Sequence, residues 1–435
     1  MKQHQVDIAI IGSGIGGLCA GALAAQAGHK VLVAEKLPHV GGRFASLQYK
    51  GYTIHTGGIG VEMGTEFEKT LEEAGVTYEK SLVDPVQYRI RGKDYPLPKK
   101  GGMREILSIC ADGDEGDRIM GELLHLMTGK KSMPNMTLEQ WLLHHKPSNL
   151  VLNFFQKNVT GGIAMNLDEA TVQDFVNFIT TAGGWRNYGL MPEGPSAITG
   201  RLAKVIGDKG GEVWTGCRAV EISVEKGIVK GIIVEKDGNK VEISAQAVIS
   251  NAGAEKTIEL AGESNFDVDY LKKVRENVIP LQYIWLHVSA DRHLMGPGSL
   301  LPLDTKRVFY VIDSTYNCPG HAPEGKRLMQ SGSLPTSITR PVDYKKELEM
   351  HIEDLRTLFS DFDKHAKILV ASCYRGQWPA GRTLPGRALP RKTPIDLLYN
   401  VGDSFFHKPG NIGAPGAVES AKLTIEDVMG QIKPG

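Results

Sequence analysis

One short run, Gly12-Ser13-Gly14-Ile15-Gly16-Gly17, constrains what this chain can fold into more than any other part of it. Before it stands VDIAII (Val6 to Ile11), apolar on both alternating faces as a strand buried in a parallel sheet must be. After it comes a helix of small residues, LCAGALAAQAG, which Gly28 stops, and the chain returns through KVLVAE. In such a βαβ unit Gly12 makes the tight turn, Gly14 admits a pyrophosphate to the backbone, and Gly17 lets the helix lie close to the sheet. The phosphates rest on the helix N-terminus, where unpaired N–H groups and the positive end of the dipole meet their charge. Glu35, 23 residues after Gly12, is spaced to accept hydrogen bonds from a ribose hydroxyl pair and would repel the 2′-phosphate of NADP.

The stretch from Ile8 to Gly28 is uncharged for 21 residues, long enough by count for a membrane span or a signal peptide. Six glycines within it, Asp7 before it and a second strand directly after it argue for strand, turn, helix and strand instead. A chain of 435 residues has room for two to three domains. Its 50 basic and 50 acidic residues balance, so a general nucleic-acid-binding role lacks an electrostatic drive. Cys19, Cys110, Cys217, Cys318 and Cys373 are odd in number and scattered, which indicates neither a disulfide framework nor a zinc ribbon and fits a reducing compartment.

After Glu35 the chain reads KLPHVGGRFAS. The stretch from Ile10 to Ser46 resembles the N-terminal signature of the FAD-dependent oxidoreductase superfamily that holds flavin amine oxidases, protoporphyrinogen oxidase and the phytoene desaturases. The resemblance implies FAD as cofactor, with Gly41, Gly42 and Arg43 beside its pyrophosphate and ribityl chain. Two glycines allow close backbone approach, and a guanidinium supplies a charge-assisted contact. Near the other end, LLYNV closes on Gly402-Asp403, and GNIGAPGA, carrying Gly413 and Ala417, opens a helix. This is similar to the C-terminal part of the same superfamily, where the acid binds the ribityl or pyrophosphate region. There the helix N-terminus faces the flavin edge that turns negative on reduction. Between them lie a helix from Gly194 ended by Gly210-Gly211, a hairpin turning at Asp237-Gly238-Asn239, and the strand AVISNAG. In the resembled family the chain around Cys217 to Glu221, with Val220, touches the adenine.

These pieces imply an α/β chain: a discontinuous, Rossmann-like FAD-binding domain over 1–63, 193–254 and 392–435, and an α+β substrate domain over 64–192 and 255–391. In the first insertion Thr65 to Ala74 and Thr137 to His145 show helical spacing, and VTGGIAMNLDEATVQDFVNFIT reads as helix beyond its glycine pair. The second holds the strand candidates LQYIWLHVSA, KRVFYVID and KILVASCYRGQW and the helix KKELEMHIEDLRTLF.

Removing a hydride to a flavin needs little acid–base equipment, so site residues are less legible here. In GYTIHTGGIG the resembled desaturases carry an acid where this chain has His55. Beside the ring His55 would take the second proton of a desaturation; elsewhere it would cap backbone groups or fill a half-polar gap. Trp185, Arg186 and Tyr188 form a cluster suited to a ring or a carboxylate, and Tyr283, Trp285 and His287 share one face of a strand; core packing is the competing reading of both. Arg375, Trp378 and Arg382 would matter for a charged substrate. No metal ligand set stands out.

The expectation is an FAD-dependent desaturase or dehydrogenase that moves a hydride from a C–H of an apolar or alicyclic small molecule to flavin N5. The alternatives are a saturase running in reverse, a flavin amine oxidase, and a flavin-free binder similar to GDP dissociation inhibitor. The electron acceptor stays open. A cytoplasmic place or one peripheral to a membrane is expected, without a transmembrane segment.

Overall fold

The computed structural model describes residues 3–58, 60–98, 102–181, 187–375, 381–406, 408 and 413–435. Two seven-stranded sheets organise them. The first takes its strands from the two ends and the middle of the sequence. Gln3–Ile11 lies between Val31–Ala34 and Asn239–Ser250, with Glu212–Trp214 outside Val31–Ala34, all running parallel. Asn239–Ser250 serves two purposes along its length. Its first half pairs with the antiparallel hairpin of Cys217–Glu225 and Ile228–Lys236, and its last residues, Val248 to Ser250, pair in parallel with Leu398–Asn400.

The glycine-rich run folds as its spacing requires. The helix Ile15–Gln26 has almost no exposed face, because it is clamped between the sheet and the helices Pro195–Asp208 and Ala414–Met429. Small residues permit that: a Cβ on Gly21 would meet Ile206 Cδ1 at 2.8 Å. Leu18, Ile198, Leu202, Val418 and Ala421 fill this core. Each large apolar side chain there contributes about 1.5–3 kcal/mol relative to leaving it in water. The opposite face of the sheet is covered by Ala254–Ala261 and Val268–Asn277 through Leu260, Phe266, Tyr270 and Val274. Phe67 and Leu71 of the helix Glu66–Glu73 also pack into the first core.

The second sheet runs Ala366–Cys373, Ile284–Ala290, Arg327–Ser333, Val308–Asp313, Ser299–Pro302, Val86–Ile90 and Lys93–Pro96, antiparallel except between Ser299–Pro302 and Val86–Ile90. Thr65 and Thr137 each form a capping box, with Glu68 and Gln140, which is why those helices begin where the periodicity places them. One expectation is corrected here. Gly161 and Gly162 do not precede a helix: they form the last turn of Asn149–Ile163, and the chain resumes helix only at Val172–Thr181. A Cβ on Gly162 would meet the Phe178 ring at 2.1 Å, so this glycine serves close helix contact and not a break. Among the described residues no helix is long and apolar enough to cross a membrane, and all five cysteines are free thiols.

Candidate active site

A cavity of about 1040 Å³ runs from the glycine loop of the first sheet to the strand end of the second. Pockets for one drug-sized ligand occupy roughly 300–1,000 Å³, so this one stands at the top of that range, large enough for an extended cofactor. Its first end is made of backbone. Gly12, Gly14 and Gly16 line it together with Gly41 and Gly42, and Gly14 and Gly41 pair as an isolated bridge. A Cβ on Gly14 would stand 2.3 Å from Asn251 Oδ1; Gly41 has φ +105° and a Cβ there would meet Phe44 O at 2.8 Å. Neither position tolerates a side chain. Gly17 lies outside the lining and has a packing role: its Cβ would strike Gly12 O at 2.2 Å.

Three helices begin at this cavity, at Gly14, Gly253 and Gly413, and none of the three has a side-chain cap. Their first N–H groups are thus left for whatever the cavity holds. Glu35 ends the second strand and lines the cavity; its carboxylate accepts from Ser13 N, Ser13 Oγ and Leu37 N, each at 2.8 Å. Asn251 ties the strand ends together, its N–H donating to Ile11 O and its Nδ2 to Val401 O.

The two glycine motifs, 360 residues apart, meet in one ion pair. Arg43 Nη1 and Nη2 donate to Asp403 Oδ2 and Oδ1 at 3.0 and 2.7 Å, a bidentate fork on the cavity wall beside Gly402. Burial works against the guanidinium charge, but Asp403 more than offsets it and holds the Arg43 pKa above its ordinary value. Asp403 is therefore a partner of Arg43 as well as a cavity residue. Gly413 and Ala417 line the same wall. Glycine-lined walls, uncapped helix starts and an acid at the end of the second strand fit the phosphates and ribose of a dinucleotide. The Arg43–Asp403 side and the helix at Gly413 fit its continuation toward a flavin ring.

The second end is aromatic. Tyr188, Tyr283, Trp285, Tyr374 and Phe178 line it with Leu281 and Val278. The Tyr283 hydroxyl donates to Thr160 O at 2.8 Å, and burial pushes its pKa up to about 12. Tyr283 and Trp285 touch at 5.9 Å with planes tilted by 53°, so they form a wall and not two parallel plates. Trp185, Arg186 and Trp378 lie outside the described residues.

Two expected positions differ from the sequence reading. Val220 does not line the cavity; its neighbours Arg218 and Ala219 do, because a bulge between Ala219 and Glu221 shifts the facing residue. His55 is also turned away from it. Only 2% exposed, it packs edge-on to the His321 ring at 5.3 Å, with His287 nearby. Burial, reinforced by those two rings, keeps its pKa well below the usual histidine range, while His287 falls to about 4, chiefly through burial. His55 fits the competing role of a neutral, buried filler below the site. His287 shares that seam although it follows Trp285 on the same strand face.

Sequence reasoning passed over Glu62, Tyr374 and Asn251, all in the lining. Asn251 sits in the strand-end Asn-Ala-Gly of AVISNAG, which carried a usable signal; Glu62 and Tyr374 carried none, because only tertiary contact brings them to the cavity.

The model of an NAD(P)-binding Rossmann-like domain matches residues 10–72. The chain is 22% identical to a 15-cis-phytoene desaturase of Solanum lycopersicum, over 98% of this chain and 78% of that protein. It superposes on an oxidoreductase from Methanosarcina mazei with a TM-score of 0.82 at 26% identity, covering 97% of this chain and all of that one. A putrescine oxidase in complex with putrescine shares the fold, with a TM-score of 0.74 at 16% identity over 99% of this chain. The matched Rossmann model describes the βαβ half that NAD and FAD proteins have in common, whereas the second glycine pair and the C-terminal wall extend the cavity beyond it. Together with that cavity, these likenesses support a flavin oxidoreductase of the phytoene desaturase-like superfamily, and the putrescine oxidase shares its fold.

Proposed function

We propose that this chain is a dehydrogenase that desaturates a carbon–carbon bond of an apolar or alicyclic small molecule. The observation that carries the reading is the two-ended cavity: backbone and helix starts at one end, an aromatic and aliphatic wall at the other. Bound FAD supplies a two-electron, hydride-accepting ring. The protein's part is to hold it through Gly12, Gly14, Glu35, Gly41, Gly42, Gly402 and Gly413. Arg43, fixed by Asp403, keeps a positive charge on the wall between the two ends. Tyr188, Tyr283 and Trp285 exclude water and press an apolar substrate into one orientation, which is how such an enzyme lowers its barrier.

The two-domain division belongs to the same proposal, with the helices Glu66–Glu73, Ala254–Ala261 and Val268–Asn277 counted with the cofactor part on which they pack. An amine oxidase is the weaker reading, since the lining's two lysines, Lys36 and Lys256, adjoin Glu35 and Gly253 at the glycine-rich end and the touching Tyr283–Trp285 pair leaves no slot between parallel rings.

The test is anaerobic bleaching of the purified yellow protein. A panel of apolar alkenes and alicyclic compounds, 15-cis-phytoene among them, is set against primary amines, putrescine among them. Bleaching by the first panel alone is the expected result; bleaching by amines with peroxide release in air would replace the reading with amine oxidation. Colourless protein would turn it toward a flavin-free binder.

A further inference from the structure

We propose that Glu62 is the proton-accepting catalytic residue of this site. Desaturation removes a hydride from one carbon and a proton from its neighbour, and a proton needs an oxygen or nitrogen to go to. Four carboxylates line the cavity: Glu35, Glu62, Glu255 and Asp403. Glu35 is occupied by Ser13 and Leu37, and Asp403 by Arg43. Glu255 is exposed in the first turn of Ala254–Ala261. Glu62 remains, half-buried, with no hydrogen-bond or ion-pair partner for its carboxylate among the described residues.

Its backbone fixes where it stands. The short strand Val61–Glu62 pairs with Tyr188–Leu190, and Glu62 lies directly across from Tyr188, one of the aromatic residues of the apolar end. Glu62 thus enters the cavity at the end where substrate is proposed to lie. The elements packed on this strand carry few charges able to reach it. Tyr188 stays neutral, its pKa raised by burial; on the helix Ala414–Met429, Glu419 is paired with Lys408 and Lys422 with Glu73, while Glu426 and Asp427, the latter paired with Arg391, belong to its far turns. Burial without a compensating cation lifts the carboxyl of Glu62 to about 7. A base with that proton affinity accepts a proton at neutral pH and releases it to water afterwards.

The step balances. The carboxylate oxygen of Glu62 forms an O–H bond as the C–H bond breaks, and that C–H pair becomes the second bond of the alkene as the hydride departs from the adjacent carbon. The two electrons leave with the hydride to the flavin that the proposed function requires, so the inference rests on that reading.

The experiment compares flavin-loaded wild type with Glu62→Gln and Glu62→Asp. Difference infrared spectra between pH 5.5 and 8.5 need no substrate: the wild type is expected to lose a protonated-carboxyl band in that interval, the Gln variant to lack it, and flavin content to be equal in both. With whichever alkene of the panel bleaches the wild type, Glu62→Gln should slow bleaching at least 30-fold and remove the limb of the pH–rate profile near 7, and Glu62→Asp should restore part of the rate. A carboxyl band that survives Glu62→Gln, or a flavin-loaded Gln variant that bleaches at the wild-type rate, overturns the assignment of Glu62. Wild-type protein isolated without flavin overturns instead the reading beneath it.

Discussion

The two ends of the cavity are built by opposite means. At the glycine end the chain presents backbone: helices start at Gly14, Gly253 and Gly413 without side-chain caps, and side chains are removed wherever a Cβ would intrude. Away from it, the helices that begin at Glu66, Leu138, Asn149, Val268 and Tyr344 are capped by Thr65, Thr137, Ser148, Asp267 and Asp343. Glycine also precedes the helices at Met103 and Pro195, so a glycine start alone means little. Three of them converging on one space are informative, because an uncapped helix start forgoes about 1 kcal/mol that a ligand can return. The aromatic end works through side chains, with Tyr188, the neighbouring Tyr283 and Trp285, and Tyr374 drawn from three distant segments of the chain. A shared cofactor is held by what all backbones have in common, and a particular substrate by what side chains alone provide.

That contrast can be broken most sharply at Glu35. Glu35→Arg removes an acceptor from Ser13 N, Ser13 Oγ and Leu37 N and places a bulky cation in the glycine end. Flavin affinity should fall by ~100-fold or more, because the cofactor loses the carboxylate acceptor that lines its end and a bulky cation occupies that space, each worth about 1–3 kcal/mol. The ratio of flavin to protein absorbance after gel filtration checks this. Asp403→Asn should do less. It leaves Arg43 half-buried beside a neutral amide, and we expect flavin affinity to drop ~10-fold, measured by fluorescence titration of flavin into stripped protein.

At the other end the expected pattern reverses. Trp285→Ala should leave flavin content unchanged and raise KM for the bleaching alkene several-fold, since about 1 kcal/mol of apolar contact is lost from the substrate wall. If Trp285→Ala sheds flavin, the two ends are not separable in function.

The smallest effect is expected at His55. His55, His287 and His321 are buried with pKa values held down mainly by burial, so the unfolded chain takes up protons first as pH falls below about 6.5. Stability contributed by these neutral rings is complete above that pH and is lost on acidification toward about 4, the value of His287. His55→Gln should make the thermal midpoint less sensitive to pH between 6.5 and 4.5 while leaving flavin and turnover unchanged. Scanning calorimetry across that range checks the first; a slowed turnover with flavin intact would return His55 to the site.

The strand–glycine–helix unit, Glu35, the second glycine pair with Arg43 and the Gly402-Asp403 turn were all legible in the amino-acid order, because each is a local requirement. Positive φ, close backbone approach and a free helix start restrict which residues can stand at fixed spacings, whatever lies elsewhere in the chain. The helices after Thr65 and Thr137 were legible from their apolar spacing, and the structure adds the capping boxes that fix where they begin. Nothing local marks Glu62: it and His55 are both polar residues on short strands flanking one glycine cluster, and the sequence raised only the histidine, with a buried filler role competing. Tertiary structure separates their surroundings. The cross-strand partner Tyr188, 126 residues away, brings Glu62 to the cavity, while His321 and His287 enclose His55 beneath it. The Arg43–Asp403 fork follows the same rule, since each half was visible in its own motif but only packing could join them. Backbone geometry is written into consecutive residues; the facing of a side chain depends on long-range pairing that no window of sequence contains.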